Sequence, residues 1–304
     1  MDIAWCADGS STADRALAEA PPWLKQPGRR DHVLVVVPPV QSVGMTVALG
    51  TPYLPEADLV QAAEEEGRIQ LDLALARLSA HGAGDAGPPV GHLLHGDPAT
   101  RLQDWLAHHG PDLVVLGTHG RGGVSRVLLG SVADHLIRHA SCPVLLIPDR
   151  APPPEPKGCV AYLVDSEAMA DLLIPASRKL LVLDDHPLEV VTALHPPPIL
   201  PAGQAMGGPL VDWEAMATLE AASARALLTH AATLLGGKVA THLLMGPAST
   251  TLADWVRTRR PGLVVLATHA RSLVARAFLG SVADHLIRHA PAPLLILRGP
   301  TPAG

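Results

Sequence analysis

The chain has 304 residues, of which 48% are hydrophobic and 17% are charged, so a disordered protein is excluded and two domains of ordinary size are expected. Its net charge of −6 excludes a broad basic surface for nucleic acid. No apolar run approaches the ~18 residues that a membrane-spanning helix requires, so we expect neither nucleic-acid nor membrane partners.

The cysteine content indicates a reducing compartment. Cys6, Cys142 and Cys159 form no CxxC motif and are odd in number, which argues against a disulfide framework and a thiolate zinc site. The first residues lack the basic stretch of a secretion signal. We therefore expect a cytoplasmic protein.

Apolar runs of strand length alternate with helical segments along the first half of the chain. Turn and capping residues separate them, such as Ser10 before the first helix, Pro21 after it, and Asp97 followed by Pro98 before the third. In chain order we predict a strand at 3–7, a helix ending near residue 20, a strand at 33–37, a helix at 56–80, a strand at 90–94, a helix from residue 98, a strand at 113–116, a helix at 131–139 and a strand at 144–147.

The second half of the chain repeats the first. Residues 92–147 align with 242–297 at a constant offset of 150, and 129–140 are identical to 279–290. The earlier segments match at an offset of 157, which pairs 3–8 with 160–165 and 33–37 with 190–194. A period of this length indicates a duplicated domain. We predict domains at 1–150 and 158–298, joined by a Pro-rich linker at 151–157.

This alternation predicts the fold class of both halves. Only 3% of the residues are aromatic, so the core must consist of Leu, Val, Ile and Ala. Nearly continuous apolar strands between helices are typical of a parallel, doubly wound α/β sheet. Ligands of such sheets bind at the carboxyl ends of the strands, where the strand order reverses.

Several glycines follow the fourth predicted strand. Gly117 lies where that strand ends, Gly120 lies in the turn beyond it, and Gly130 precedes Ser131 at the start of a helix. The N–H groups and dipole of a helix start favour phosphate, and glycines let the backbone approach it closely. The spacing is neither that of a P-loop nor that of GxGxxG. A mononucleotide phosphate site is favoured, while a plain glycine turn and helix cap explain the same residues.

The spacing Gly117-x2-Gly120-x9-Gly130-Ser131 resembles the G-x2-G-x9-G-[ST] ATP-binding motif of the universal stress protein (UspA-like) family. The strand that ends in Asp8 and the segment His95-Gly96-Asp97-Pro98-Ala99 also resemble that family, over nearly the whole chain. The resemblance implies a tandem two-domain member with an adenine nucleotide alpha hydrolase-like fold. Each half would then hold a five-stranded parallel sheet of order 3-2-1-4-5.

The resemblance also implies roles for single residues in the first half. Asp8 would accept hydrogen bonds from the ribose or base, although a helix-capping carboxylate is an equally good interpretation of this residue. Ala7 and Val37 would line the adenine slot, and Leu116 and Gly117 would flank the ribose. The residues expected at the phosphates are Gly120, Gly130, Ser131 and Val132.

The second half departs from this motif. Ala267 and Ala270 stand where the first half has Gly117 and Gly120, and would place methyl groups in the turn expected to wrap the phosphates. Asp165 and the pair Gly280-Ser281 persist, but that pair also serves as a helix cap. We therefore expect a vacant or altered second site and one nucleotide per chain.

The histidines raise the question of a metal site. His135 and His139, repeated as His285 and His289, lie four residues apart on one helix face, beside its buried stripe. No HExxH motif and no third ligand is identifiable, so a surface or interface pair is favoured and no metal site is predicted.

The resemblance implies a cytoplasmic, ATP-binding stress protein with a regulatory role, and no catalytic residue is assigned. Two alternatives remain open: slow ATP hydrolysis on the same fold, and a scaffold that binds no nucleotide. An accompanying Mg²⁺ is also left open.

We expect the two halves to pair through the apolar edge strands at 144–147 and 294–297, because an uncovered edge invites aggregation. Further association into a homodimer is left open.

Overall fold

The computed structural model describes residues 1–39, 56–118, 129–149, 158–195, 213–268, 280–289 and 291–298. The predicted linker at 151–157 and Gly120 lie outside these ranges. Within them, no helix has the length and apolar character needed to cross a membrane. All three cysteines are free thiols.

The first half contains the elements that the sequence predicts, with ends shifted by at most three residues. Ser10 caps the first helix by accepting a hydrogen bond from the Ala13 N–H group, and Asp97 caps the third through the Thr100 N–H group. The elements are β1 (Asp2–Ala7), α1 (Ser11–Glu19), a 3₁₀ turn (Pro21–Trp23), β2 (Arg30–Val37), α2 (Glu56–His81), β3 (Val90–His95), α3 (Pro98–His109), β4 (Leu113–Gly117), α4 (Ser131–His139) and β5 (Val144–Ile147).

The second half repeats this series. Its elements are β6 (Val160–Leu163), α5 (Glu167–Leu180), β7 (Leu188–Leu194), α6 (Trp213–Leu235), β8 (Val239–Met245), α7 (Ala248–Arg259), β9 (Leu263–Thr268), α8 (Ser281–His289) and β10 (Leu294–Arg298). Strand pairing supports the two offsets read from the sequence. Ile3 pairs with Leu113 and Asp31, and Val160 pairs with the equivalent residues Leu263 and Leu188.

The described strands form a 10-stranded sheet of order β3-β2-β1-β4-β5-β10-β9-β6-β7-β8. Within each half the pairing is parallel and the order is 3-2-1-4-5, which confirms the predicted fold class. One apolar core lies between the sheet and helices α1, α2, α5 and α6, and a second lies against α3, α4, α7 and α8. Strand residues alternate between these two cores.

The halves meet at β5 and β10, which pair in the antiparallel direction. Leu145 lies opposite Leu295, its own equivalent at an offset of 150. On the α1 side of the sheet, Leu24 forms a bridge with Leu181, its equivalent at an offset of 157. Both pairs therefore lie on one pseudo-twofold axis that relates the halves.

Trp23 breaks the symmetry of this junction. It is 3% exposed and stacks on His186 of the second half, with ring centroids 4.5 Å apart. A Cβ atom at Gly262 would lie 2.7 Å from the Trp23 ring and 3.1 Å from the Gly158 Cα atom. Gly262 therefore leaves room for the indole. The residue equivalent to Trp23 in the second half is Leu180.

We expect Gly262→Ala to lower the free energy of unfolding by about 1–3 kcal/mol, because overpacking a closed contact strains its neighbours. The loss should shrink when Trp23 is also replaced by Leu, since the smaller side chain withdraws the ring. A urea-denaturation double-mutant cycle measures this coupling. Equal losses in the two backgrounds would mean that Trp23 is not seated against Gly262.

Candidate functional site

Three neighbouring strands of the first half end at one edge of the sheet. Asp8 follows β1, Val37 ends β2, and Gly117 ends β4, and β1 lies between β2 and β4. The helices after β1 and β2 cover one face, whereas α3 and α4 cover the other. The predicted residues thus come together where the strand order reverses, the usual ligand position in an open α/β sheet.

Asp8 forms a tight turn between β1 and α1. Its Oδ1 atom accepts a hydrogen bond of 3.0 Å from the Ser10 N–H group, and Gly9 between them has a φ of 73°. Ser10 in turn accepts from the Ala13 N–H group at 3.2 Å. One carboxylate oxygen of Asp8 therefore stabilises the turn before α1, while Ser10, and not Asp8 as in the alternative interpretation of the sequence, caps the helix.

The apolar site residues divide between the two faces of the sheet. Ala7 and Val37 are buried on the α1–α2 side, and a Cβ atom at Gly67 of α2 would lie 2.6 Å from the Val37 Cγ2 atom. Leu116 is also buried, but its side chain packs in the core formed with α3 and α4. The structure therefore does not bring the Leu116 side chain to Ala7 and Val37, and only its backbone faces this edge.

Gly117 has a packing reason to be glycine. A Cβ atom there would lie 2.6 Å from the Thr12 Cγ2 atom and 2.9 Å from the Thr12 carbonyl carbon. The first turn of α1 thus lies against the end of β4. The equivalent Ala267 packs on the core beside α5 and α6, so its methyl group is directed to the helix layer. The sequence interpretation, which directed this methyl group toward phosphate, was wrong at this position.

The start of α4 carries the predicted phosphate residues. Gly130 occupies the N-cap position without a side-chain cap, and its own N–H group donates to the Thr118 carbonyl at 2.8 Å. Ser131 is exposed and Val132 is half-buried. The first N–H groups of the helix have no acceptor within it. Gly120 lies outside the described residues, so its relation to this helix start stays a prediction.

A hydrogen-bonded clamp holds this edge together. Thr118 is 4% exposed, and its hydroxyl accepts from the Asp149 N–H group at 3.1 Å. The Asp149 carboxylate accepts from the Thr12 hydroxyl at 3.1 Å, and Arg15 donates to the Asp149 carbonyl at 2.6 Å. Sequence reasoning missed these residues, because no motif signals contacts between α1 and the end of β5.

The corresponding turn of the second half has the same length but a different conformation. Ser166 stands at the position of Gly9 and is itself the N-cap of α5, which therefore begins one residue earlier than α1 does. The Ser166 hydroxyl donates to Asp165 Oδ1 at 3.1 Å and accepts from the Met169 N–H group at 3.3 Å. The carboxylate therefore persists in a different turn.

The histidine pairs lie on the surface of identical helices. The His135 and His139 ring centroids are 4.5 Å apart and those of His285 and His289 are 4.4 Å apart, in stacked arrangements. His135 also contacts Gln103 of α3. Among the residues that the structure describes, no cluster of three or more His, Cys, Asp or Glu side chains could hold a metal ion.

The described thiols are poor nucleophiles. Burial raises the pKa of Cys142 to about 12 and that of Cys159 to about 11, and it also raises the pKa of Cys6. A thiol with so high a pKa is protonated at neutral pH. The arrangement at the first-half edge is therefore better suited to binding through backbone N–H groups than to thiolate chemistry.

We expect Gly117→Ala to destabilise the chain by about 1–3 kcal/mol even without ligand, because the methyl group would overlap Thr12. Thr12→Ser removes the Cγ2 atom and keeps the hydroxyl, so it should recover part of this loss. Thermal unfolding of the two single variants and the double variant measures the effect. A Gly117→Ala variant as stable as the parent would contradict this packing role.

Comparison with known proteins gives consistent results for sequence and fold. The universal stress protein family model matches residues 1–148 and 163–298. A universal stress protein from Methanocaldococcus jannaschii is 44% identical over 55 residues, or 18% of this chain and 32% of that protein, so the chain spans about a third of this relative. One from Thermus aquaticus, named from the QAH/OAS sulfhydrylase 3′ region, is 32% identical over 141 residues, or 46% of this chain and 93% of that protein.

The solved structures include a universal stress protein from Archaeoglobus fulgidus DSM 4304. It superposes with a TM-score of 0.64 at 14% identity, covering 98% of both chains. At this identity the likeness shows the fold, and it extends over the tandem arrangement. With a family match in each half, the chain belongs to the universal stress protein family as a tandem two-domain member.

Proposed function

We propose that the first half binds one ATP at the carboxyl ends of β1, β2 and β4. The observation that carries this proposal is the start of α4. Among the described residues, no side chain caps this helix at Gly130, and the first-turn N–H groups of a helix favour an anion. The hydroxyl of Ser131 is exposed beside them. A triphosphate supplies the negative charge that a helix N-terminus stabilises.

The adenosine would extend from this point across β4 toward β2. Asp8 would accept hydrogen bonds from the ribose or base, with Gly117 and the Leu116 backbone beside the ribose. Ala7 and Val37 would contact adenine, and both are already buried on one face. The phosphates would lie at Gly120, Gly130, Ser131 and Val132.

The clamp around Thr118 supports this assignment. It fixes the β4 end to α1 and α4 through Asp149, Thr12 and the Gly130 N–H group, so both ends of the proposed site are held by one network. A site held in its binding geometry loses less entropy when the ligand binds. The function we propose is nucleotide binding for regulation under stress, in the cytoplasm, where the free thiols Cys6, Cys142 and Cys159 are stable.

The second half would not bind ATP. Its turn after β6 lacks the residue with positive φ that follows Asp8, and Ser166 binds the Asp165 carboxylate. Ala270 replaces the motif glycine of the turn after β9. We propose that this half serves the fold, by pairing β10 with β5 inside the same chain.

We expect Gly130→Val to lower ATP affinity more than tenfold, or by more than about 1.4 kcal/mol, because branched carbon would occupy the phosphate position. Gly280→Val is the matched control, since it makes the same change before an identical helix. A Cβ atom at Gly280 meets no atom within 4 Å, so that control has room to fold. Isothermal titration calorimetry of both variants, with circular dichroism to verify folding, measures the difference.

Unchanged affinity in a folded Gly130→Val variant would reject the proposed site. Loss of affinity in Gly280→Val instead would place the nucleotide in the second half.

A further inference from the structure

A cluster of imidazoles lies at the opposite end of the first half from the proposed nucleotide site. His32 of β2 and His92 of β3 approach each other with His32 Nδ1 and His92 Nε2 3.1 Å apart. Trp105 of α3 meets the His32 ring at an interplanar angle of 54° and the His92 ring at 62°, with centroids 5.5 Å and 5.1 Å away. His109 stacks on Trp105 at 4.1 Å. These side chains join two strands to one helix.

The equivalent cluster of the second half contains a carboxylate and a guanidinium in place of two of the imidazoles. The positions equivalent to His32 and His109 hold Glu189 and Arg259, while His92 and Trp105 recur as His242 and Trp255. Arg259 Nε lies 3.0 Å from a Glu189 carboxylate oxygen, and His242 Nε2 lies 3.0 Å from the other. Glu189 is 3% exposed. An ion pair here replaces a contact between neutral rings.

The two arrangements respond differently to protons. When both rings of the His32–His92 pair are neutral, one N–H group donates to the lone pair of the other. If both rings are protonated, two donors and two positive charges face each other at the same distance. Within the part of the chain that the structure describes, no carboxylate is hydrogen-bonded to either ring. Glu189, by contrast, gives the second-half cluster a negative charge that a cation stabilises.

Charged and titratable groups from β1, β2 and α3 act on the His32–His92 pair. Asp2 of β1, Arg30 and Asp31 of β2, and His109 of α3 act on His32, and His109 also acts on His92. Burial lowers the pKa of both imidazoles, and their mutual repulsion lowers that of His92 further. The carboxylates of Asp2 and Asp31 raise the pKa of His32, but burial outweighs them and the pKa stays below the ordinary value.

The sign of the pH effect follows from these directions. A histidine whose pKa is lower in the folded chain binds fewer protons there than in the unfolded chain. Its stabilising contribution is complete above the ordinary histidine pKa of 6.5 and declines as the pH falls below it. Glu189 lies outside this window. Burial alone would raise its pKa, but Arg259 outweighs burial and lowers it below the ordinary glutamate value.

We propose that His32 and His92 form a proton-binding site that loosens β2, β3 and α3 when acid protonates both rings, while the second half keeps its packing. Two of these elements, β2 and α3, extend to the end of the sheet where the nucleotide site is proposed. β2 ends at Val37, and α3 begins at Pro98 and ends at His109. Acidification should therefore also weaken the nucleotide site, a consequence that rests on the proposed function.

Hydrogen exchange measured by mass spectrometry tests the site within one molecule. We compare wild type at about pH 7.5 and about pH 5.5, with rates corrected for intrinsic exchange. Protection of residues 30–37 and 90–109 should fall at the lower pH, relative to residues 188–194 and 239–259 of the second half. Equal changes in the two halves would overturn the proposal.

Two variants assign the effect to the pair. His32→Gln keeps a group that can hydrogen-bond to His92 but removes one titrating ring, so it should lose more than half of the pH-dependent change. His108→Gln is the matched control. His108 is exposed on α3, so its replacement should leave the pH-dependent change intact. A His32→Gln variant with the full wild-type response would reject the pair as its origin.

A spectroscopic readout keeps the proposal testable if His32→Gln does not fold. Nuclear magnetic resonance titration of the imidazole Cε1–H signals in wild type should show His32 and His92 titrating below the ordinary histidine pKa of 6.5. Titration of both rings at or above that value would overturn the proposal.

The double variant His32→Glu with His109→Arg copies the second-half ion pair into the first half. It should reduce the pH-dependent loss of protection, and an undiminished loss would contradict the assigned mechanism.

The coupling to nucleotide is measured separately, as ATP affinity at the two pH values in wild type and His32→Gln. Absence of ATP binding at both pH values would reject the proposed function and leave the exchange result standing. Binding that is equally strong at both pH values, with the exchange change present, would reject only the coupling.

Discussion

The pairing of β5 with β10 determines how the rest of the molecule is arranged. Both strands are short and almost entirely apolar, and all four residues of β5 are buried. Left uncovered, each would be the edge of a five-stranded sheet and a template for aggregation. Joined in the antiparallel direction, they make one sheet from two domains and put equivalent residues opposite each other. Trp23 then supplies the asymmetric contact that seats one half on the other.

The two copies of the fold differ in their local constraints. In the first half, α1 approaches β4 so closely that residue 117 must be glycine, and Gly9 supplies the positive φ of the turn before α1. The second half has Ser166 in place of Gly9, begins its helix one residue earlier, and accepts alanine at the equivalent position of β9. A similar divergence separates the neutral His32–His92 contact from the Glu189–Arg259 ion pair. Each difference is confined to side chains and a turn, and the strand registers are unchanged.

Most element ends could be predicted from the sequence, because apolar runs, proline stops and capping residues are local signals. The strand order was implied by the family resemblance and not by these signals. The constant offsets of 150 and 157 are visible without a structure for the same reason. The contact between Thr12 and Gly117 could not be predicted, since it depends on how closely α1 packs on the sheet. The opposite orientation of Leu116 relative to Ala7 follows from strand alternation, but it requires the register to be known. The Thr118–Asp149 clamp joins residues with no shared motif.

The central claim is that one half binds a nucleotide and the other half serves the fold. Native mass spectrometry of the wild-type chain titrated with ATP tests it most directly, because it counts ligands bound to each chain. The account predicts a mass increase of a single nucleotide at saturation. Two nucleotides per chain would show that the altered turn after Asp165 and the alanine at position 270 permit binding, and no adduct at saturating ATP would contradict the assignment of the first half.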